Sequence, residues 1–181
     1  MDMFAECTSL TFINLSNLNI SNVENMHGMF WGCHSLRSLN LKSFDTSKVT
    51  KLFAMLRGCE SLISIDLSNF DTSEVRDVGE LFYECKNLQY INLKNFKDTK
   101  NPITTDIFKA IAKNVVICIN STEASKIYDI ARNIECVTFS CEENWSSLQK
   151  KLDIDTEQCV NDCPSTSNKY ENEGKYYNKC L

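Results

Sequence analysis

Four cysteines, Cys7, Cys33, Cys59 and Cys85, stand 26 residues apart, and much of the sequence around them keeps the same spacing. A fixed period of this length marks a repeat architecture, in which each unit is one supersecondary element stacked on its neighbours. Leu10, Leu36, Leu62 and Leu88 align; so do Ile13, Leu39, Ile65 and Ile91, then Leu15, Leu41, Leu67 and Leu93, then Leu18, Phe44, Phe70 and Phe96. Val23, Val49 and Val75 follow, with Met26, Leu52 and Val78 after them.

Within a unit the pattern L-x-x-L-x-L, as at Leu36, Leu39 and Leu41, alternates as a short strand with one buried face does. Val49, Leu52, Phe53 and Leu56 then recur at helical spacing, which predicts a helical turn or two with Ser47 as N-cap. One strand and one short helix cannot bury both apolar faces alone. Stacked units can, giving an α/β solenoid with a parallel sheet on one side and short helices on the other. Each ladder cysteine follows an apolar pair and precedes a strand leucine by three, so it is expected to point inward as a small hydrophobe. A zinc site does not fit, because zinc ligands come from close C-x-x-C pairs.

Two stretches carry a resemblance. MFWGCHSLRSLNLKSFDTSKV and, more loosely, LFYECKNLQYINLKNF are similar to the BspA-type leucine-rich repeats of bacterial and protist surface proteins. The resemblance spans Met3 to about Phe96. It implies a leucine-rich-repeat solenoid in a cell-surface or secreted protein of adhesion or host interaction, without catalytic residues. Ordinary leucine-rich repeats carry Asn at the ninth position after the first Leu; Phe44, Phe70 and Phe96 sit near that slot here, so no Asn ladder is expected there.

The period runs past the motif. Ile91 plus 26 is Ile117, and residues 115–119 read as a strand. Thr105 to Lys113 reads as a helix with Ile107, Phe108 and Ile111 on one face. Ser121 or Thr122 is placed to cap a helix bearing Ile127, Tyr128, Ile130 and Ala131, and residues 136–140 read as another strand. The stack is therefore expected to have five or six rungs. Glu142 to Asp155 reads as a last helix with Trp145, Leu148 and Leu152 on one stripe. From Gln158 the chain is polar and dense in cysteine (Cys159, Cys163, Cys180), like the cysteine-rich segments that follow such repeats in protist surface proteins. The expected organisation is repeats over 1–101, degenerate repeats and a C-terminal cap over 102–155, and a disulfide tail over 156–181. Met1 to Phe4 falls mid-repeat and the tail stops just after Cys180, so the chain reads as a fragment. Pairing is open. Cys163 with Cys180, and Cys118 with Cys136, are the candidates; the second supposes Ile119 and Phe139 matched in adjacent strands.

No catalytic constellation is evident. His27 and His34 lack a partnered Ser or Cys motif. Asp45 and Asp71 recur within F-D-T-S, which reads as a turn with Asx-type hydrogen bonding. There is no phosphate loop or dinucleotide fingerprint, so neither enzyme activity nor cofactor nor metal is expected. A net charge of −5 offers no basic field for nucleic acid. No apolar run is long enough to span a membrane, and no signal-peptide pattern opens the chain.

The best candidate surface is the outward face of the sheet, alternating with the buried leucines. Its columns are Phe12, Ser38, Ser64 and Tyr90; Asn14, Asn40, Asp66 and Asn92; and Ser16, Lys42, Ser68 and Lys94. Small polar side chains with an aromatic at either end suit a protein or glycan ligand, such as host extracellular matrix or a cell surface. The alternative is an intracellular scaffold for protein–protein interaction, which suits regularly spaced reduced cysteines. Asn14, Asn19, Asn120 and Asn144 lie in N-x-S/T sequons, and a glycan on Asn14 would stand on the proposed face.

Overall fold

The structure, a computed structural model, describes residues 2–148, 151–153, 159–160 and 179–180. Its centre is a four-stranded parallel sheet, β1 (Ser64–Asp66), β2 (Tyr90–Leu93), β3 (Val116–Ile119) and β4 (Thr138–Phe139), in chain order. One helix, α1 (Ser125–Ala131), joins β3 to β4. The register holds the 26-residue period: Ser64 pairs with Tyr90 and Tyr90 with Val116, while Ile65, Ile91 and Ile117 form one row. A second set of parallel bridges links Asn25, Lys51, Asp77 and Ile103. Successive units thus touch through two backbone ladders, with the apolar side chains between them. One continuous core runs from Leu15 to Ala131.

The alternation at Leu39 and Leu41 holds: both are buried, and Ser38, Asn40 and Lys42 are exposed. Regular strand, however, begins only at Ser64. Earlier rungs are extended but more loosely joined, as by the Arg37 N–H to the Thr11 carbonyl at 3.3 Å.

The expected helices at Val49–Leu56 and Thr105–Lys113 are corrected to ribbons of turns. The Met55 N–H bonds the Leu52 carbonyl, Arg57 that of Ala54, and Cys59 that of Leu56. Between them, the amides of Leu52, Ala54, Leu56 and Gly58 donate instead to Asp77, Gly79, Leu81 and Tyr83 in the next rung, at 2.8–3.2 Å. An α-helix would close its amides on itself and leave rungs joined only by side chains. The third residue of alternate turns has positive φ, as a type II turn requires. Gly28, Ala54, Glu80 and Asp106 occupy one such position, and Gly32, Gly58, Glu84 and Ala110 the other. Ser47 is no N-cap; its own N–H is bonded by Asp45 Oδ1.

The ladder cysteines behave as expected after the first. Cys33, Cys59 and Cys85 are buried free thiols, whereas Cys7 is exposed. Each buried thiol also donates to a carbonyl of the preceding rung, Cys33 to Phe4, Cys59 to Phe30 and Cys85 to Leu56, at 3.1–3.3 Å. Burial pushes the Cys33 thiol up to about 11, with the neighbouring Cys7 adding to the effect. Three positions before the cysteines, a neighbouring column is joined by ring stacking of Phe4 on Phe30 and of Phe82 on Phe108.

In α1, Ile127 and Ala131 are buried, and Tyr128 and Ile130 half-buried. Neither Ser121 nor Thr122 caps it. Asn120 Oδ1 accepts the Thr122 and Glu123 amides just before it. The last helix is shorter than expected. It covers only Trp145–Leu148 (α2), and residues 151–153 form a strand. That strand, β5 (Lys151–Asp153), is flanked by β6 (Cys159–Val160), antiparallel, and β7 (Lys179–Cys180), parallel. The supposed stripe of Trp145, Leu148 and Leu152 on one helix is thereby corrected, since Leu152 belongs to β5 and not to α2. Cys163, and with it the pairing with Cys180, lies outside the described residues.

The pairing of Cys118 with Cys136 is corrected: Cys118 is bonded to Cys141. The cause is register. Phe139 pairs with Ile117 and not with Ile119, and Thr138 with Val116, an offset of 22 where the supposed match needed 20. One residue beyond Ile117, Cys118 comes level with Ser140, beside Cys141. Cys136 is level with Asn114, a strand-length away, and is itself disulfide-bonded elsewhere.

Candidate functional site

The three outward columns fall on one face, but they are not equally free. Phe12 is 67% exposed. Ser38, Ser64, Asn14, Asn40, Lys42 and Lys94 are exposed, while Asp66, Ser68, Tyr90 and Asn92 are half-buried. Register brings Ser64 beside Tyr90 and Asp66 beside Asn92. Tyr90 has its phenol held above the usual range, first by burial and then by the Asp66 carboxylate.

The middle column has a structural task that period-two alternation does not reveal. Asn14, Asn40, Asp66 and Asn92 each accept the backbone N–H two residues on, at Ser16, Lys42, Ser68 and Lys94, all at 3.0–3.1 Å. Their Oδ1 atoms therefore end the extended segment as Asx turns. What remains for a ligand is the outer side of these groups, together with the flanking serines, lysines and aromatics.

The face is bounded at β3. The next residues in its columns, Val116 and Cys118, are buried, with α2 against β3 and the Cys118–Cys141 bond closing the row. Along its rim lies an open cleft of about 560 Å³, lined by Asn95, Lys94, Lys97, Asp71, Asn120 and Glu123 among others. Its wall contains a ladder one residue before the phenylalanines. Asn69 Nδ2 donates to the carbonyls of Leu41 and Phe44, and Asn95 Nδ2 to that of Ser68. No Asn ladder was expected at the phenylalanine slot, and the structure supplies a two-rung one beside it.

F-D-T-S is a turn, and a joint as well. Asp45 and Asp71 accept the Ser47 and Ser73 amides. Hydrogen bonds from these serines, first the side-chain and then the backbone one, hold both carboxyls below their usual value. Thr46 and Thr72, buried between them and the core, each bond the next rung twice.

On the turn side, sequence reasoning missed a second column at the same period: Trp31, Arg57, Tyr83 and Lys109. The Arg57 guanidinium lies 5.8 Å from the Trp31 ring centre and 4.7 Å from that of Tyr83, and Lys109 Nζ is 5.6 Å from Tyr83. Glu80 pairs with Arg57 and Asp106 with Lys109. The 26-residue spacing alone would have aligned these four. His27 stacks on Phe53 and His34 lies 3.7 Å from Glu60. Among the described residues, no three His, Cys, Asp or Glu side chains converge as a metal site. No helix there is long and apolar enough to cross a membrane.

No curated protein and no solved structure matches the chain. A family model described as "Mycoplasma protein of unknown function, DUF285" matches residues 1–118, well over half of the sequence, and the chain belongs to that family.

Proposed function

We propose that the chain is a leucine-rich-repeat solenoid of BspA type, and that the outward face of its sheet is the non-catalytic binding surface of a cell-surface or secreted adhesion protein. The ligand class is protein or glycan. The observation that carries the reading is the run of exposed serine, asparagine and lysine side chains at successive rungs, with Phe12 standing out at one end. Stacked-repeat proteins bind partners along such extended faces, and an exposed aromatic beside small polar groups suits either ligand class.

The test is binding of the purified chain to immobilised extracellular-matrix proteins and to a glycan array. The double variant Ser38→Arg/Ser64→Arg should abolish any signal while leaving the melting temperature near that of the parent. Arg57→Ala, on the turn side, should bind as the parent does. Loss with Arg57→Ala and retention with the serine pair would move the binding surface to the other column and sink this reading. The intracellular scaffold is favoured by the free thiols of Cys33, Cys59 and Cys85, and the surface reading by the Cys118–Cys141 bond.

A further inference from the structure

The N-x-S/T sequon at Asn120 forms the same turn as that at Asn19, whose Oδ1 accepts the Ser21 N–H and hydroxyl, and is set apart from it by the disulfide of Cys118. Asn120 leaves β3 at its C-terminal end and is exposed. Its Oδ1 accepts the Thr122 N–H at 3.0 Å, the Thr122 hydroxyl at 2.8 Å and the Glu123 N–H at 3.4 Å. That turn is made by the oxygen alone, so Nδ2 is left outside it. Asn69, Asn87 and Asn95, which lie in no sequon, use Nδ2 to bond a carbonyl of the preceding rung; a sugar on any of them would break the stack. Two residues before Asn120, Cys118 is in a disulfide. Disulfides form in the oxidising secretory compartments, which is also where eukaryotic cells modify N-x-S/T asparagines.

We infer that Asn120 is an N-glycosylation site. The donor is an oligosaccharide carried on a polyisoprenyl diphosphate. The Asn120 Nδ2–C1 bond forms as the sugar's C1–O bond to phosphate breaks. The diphosphate departs with the bonding electron pair, the amide gives one proton to a base of the transferase, and nothing is oxidised or reduced. The glycan then stands at the cleft beside Asn95, Lys97 and Glu123. It closes that rim and leaves the column of Ser38 and Ser64 open. This rests on the extracellular part of the proposed function, and not on the sheet face being a binding surface.

The chain is secreted from animal cells behind a cleavable signal peptide, and its peptides are weighed before and after peptide-N-glycosidase. The expected result is a glycopeptide at Asn120 that is absent from Asn120→Asp and from Thr122→Ala. Asn120→Asp keeps the oxygen that makes the turn, so its fold should survive; a parent-like melting temperature checks this. A bare Asn120 in secreted, folded protein with the Cys118–Cys141 bond intact overturns the inference. In protein from the native host, Cys118 and Cys141 recovered as free thiols would sink the extracellular reading together with this one. An intact disulfide beside a bare Asn120 would sink this one alone.

Discussion

The Thr72 hydroxyl is held by both backbone groups of one residue in the next rung: it donates to the Lys97 carbonyl at 3.0 Å and accepts the Lys97 N–H at 2.7 Å. Thr46 holds Asp71 in the same way. Thr72 is 1% exposed, so water cannot replace its hydroxyl. Removing it leaves a buried donor and acceptor unpaired, which costs more than the bonds themselves contribute. Thr72→Val, nearly the same shape, should lower stability by about 2–3 kcal/mol in urea unfolding. Thr72→Ser keeps the hydroxyl and should cost only about 1 kcal/mol for the lost methyl. Equal losses in the two variants would show that packing, and not the double bond, is what Thr72 supplies.

The signature F-D-T-S was legible as a turn, and its threonine was not legible as a joint, because the partner is 25 residues away and a turn motif is read locally. The same contrast runs through the chain. Leu39 and Leu41 announce their buried face through alternation. Nothing in alternation says that Asn40 ends the segment by bonding Lys42. Val49, Leu52 and Leu56 are spaced as on a helix, yet their ribbon of turns repeats about every four residues and buries the same positions. Glycine would have betrayed it at Gly28, Gly32 and Gly58, but Ala54, Glu80 and Glu84 fill the equivalent positions elsewhere. The last rung keeps neither the period nor the supposed match of Ile119 with Phe139: its offset is 22, where the earlier strands have 26 and that match needs 20, so Cys118 meets Cys141 in place of Cys136.

Glu84 and Gly58 occupy the same place in successive rungs, at φ +59° and +72°. Side chains with a Cβ pay about 1–2 kcal/mol to sit there, and glycine does not. Glycine gives back part of that in unfolded-chain entropy. Glu84→Gly should therefore stabilise by about 0.5–1 kcal/mol. Gly58→Ala should destabilise by about 1 kcal/mol through the backbone alone, since an added Cβ meets nothing nearer than 3.6 Å. Chemical denaturation of the pair decides it; opposite signs are required.

Burial raises the Cys33 thiol from 9.0 to about 11 and that of Cys85 to about 12. A folded state that holds these protons more tightly than the unfolded chain has its full stability below about pH 9, and loses it as pH rises toward the folded values. Thermal melts at about pH 8 and about pH 10.5 should show this loss, and Cys33→Val should show less of it. Native alkylation provides an independent check. Cys7 is exposed and should react with iodoacetamide at once, while Cys33, Cys59 and Cys85 should react only as the chain unfolds. Rapid native labelling of Cys59 would contradict a closed core.

The Cys118–Cys141 bond spans 23 residues that include α1 and β4. A closed loop of this length restricts the unfolded chain by about 3 kcal/mol. Peptide mapping should recover the pair, and Cys118→Ser/Cys141→Ser should lose stability of that order. The place of the loss is the sharper test. Stacked units interact mainly with their neighbours, so opening the last rung should be felt there first. In the double variant the Thr138 and Ser140 amides, bonded to the Val115 and Ile117 carbonyls, should exchange hydrogen much faster. The Leu67 amide, bonded to the Asn92 carbonyl two strands away, should change little. Equal acceleration at all three would mean that the rungs open as one cooperative block, and that the disulfide steadies the whole stack.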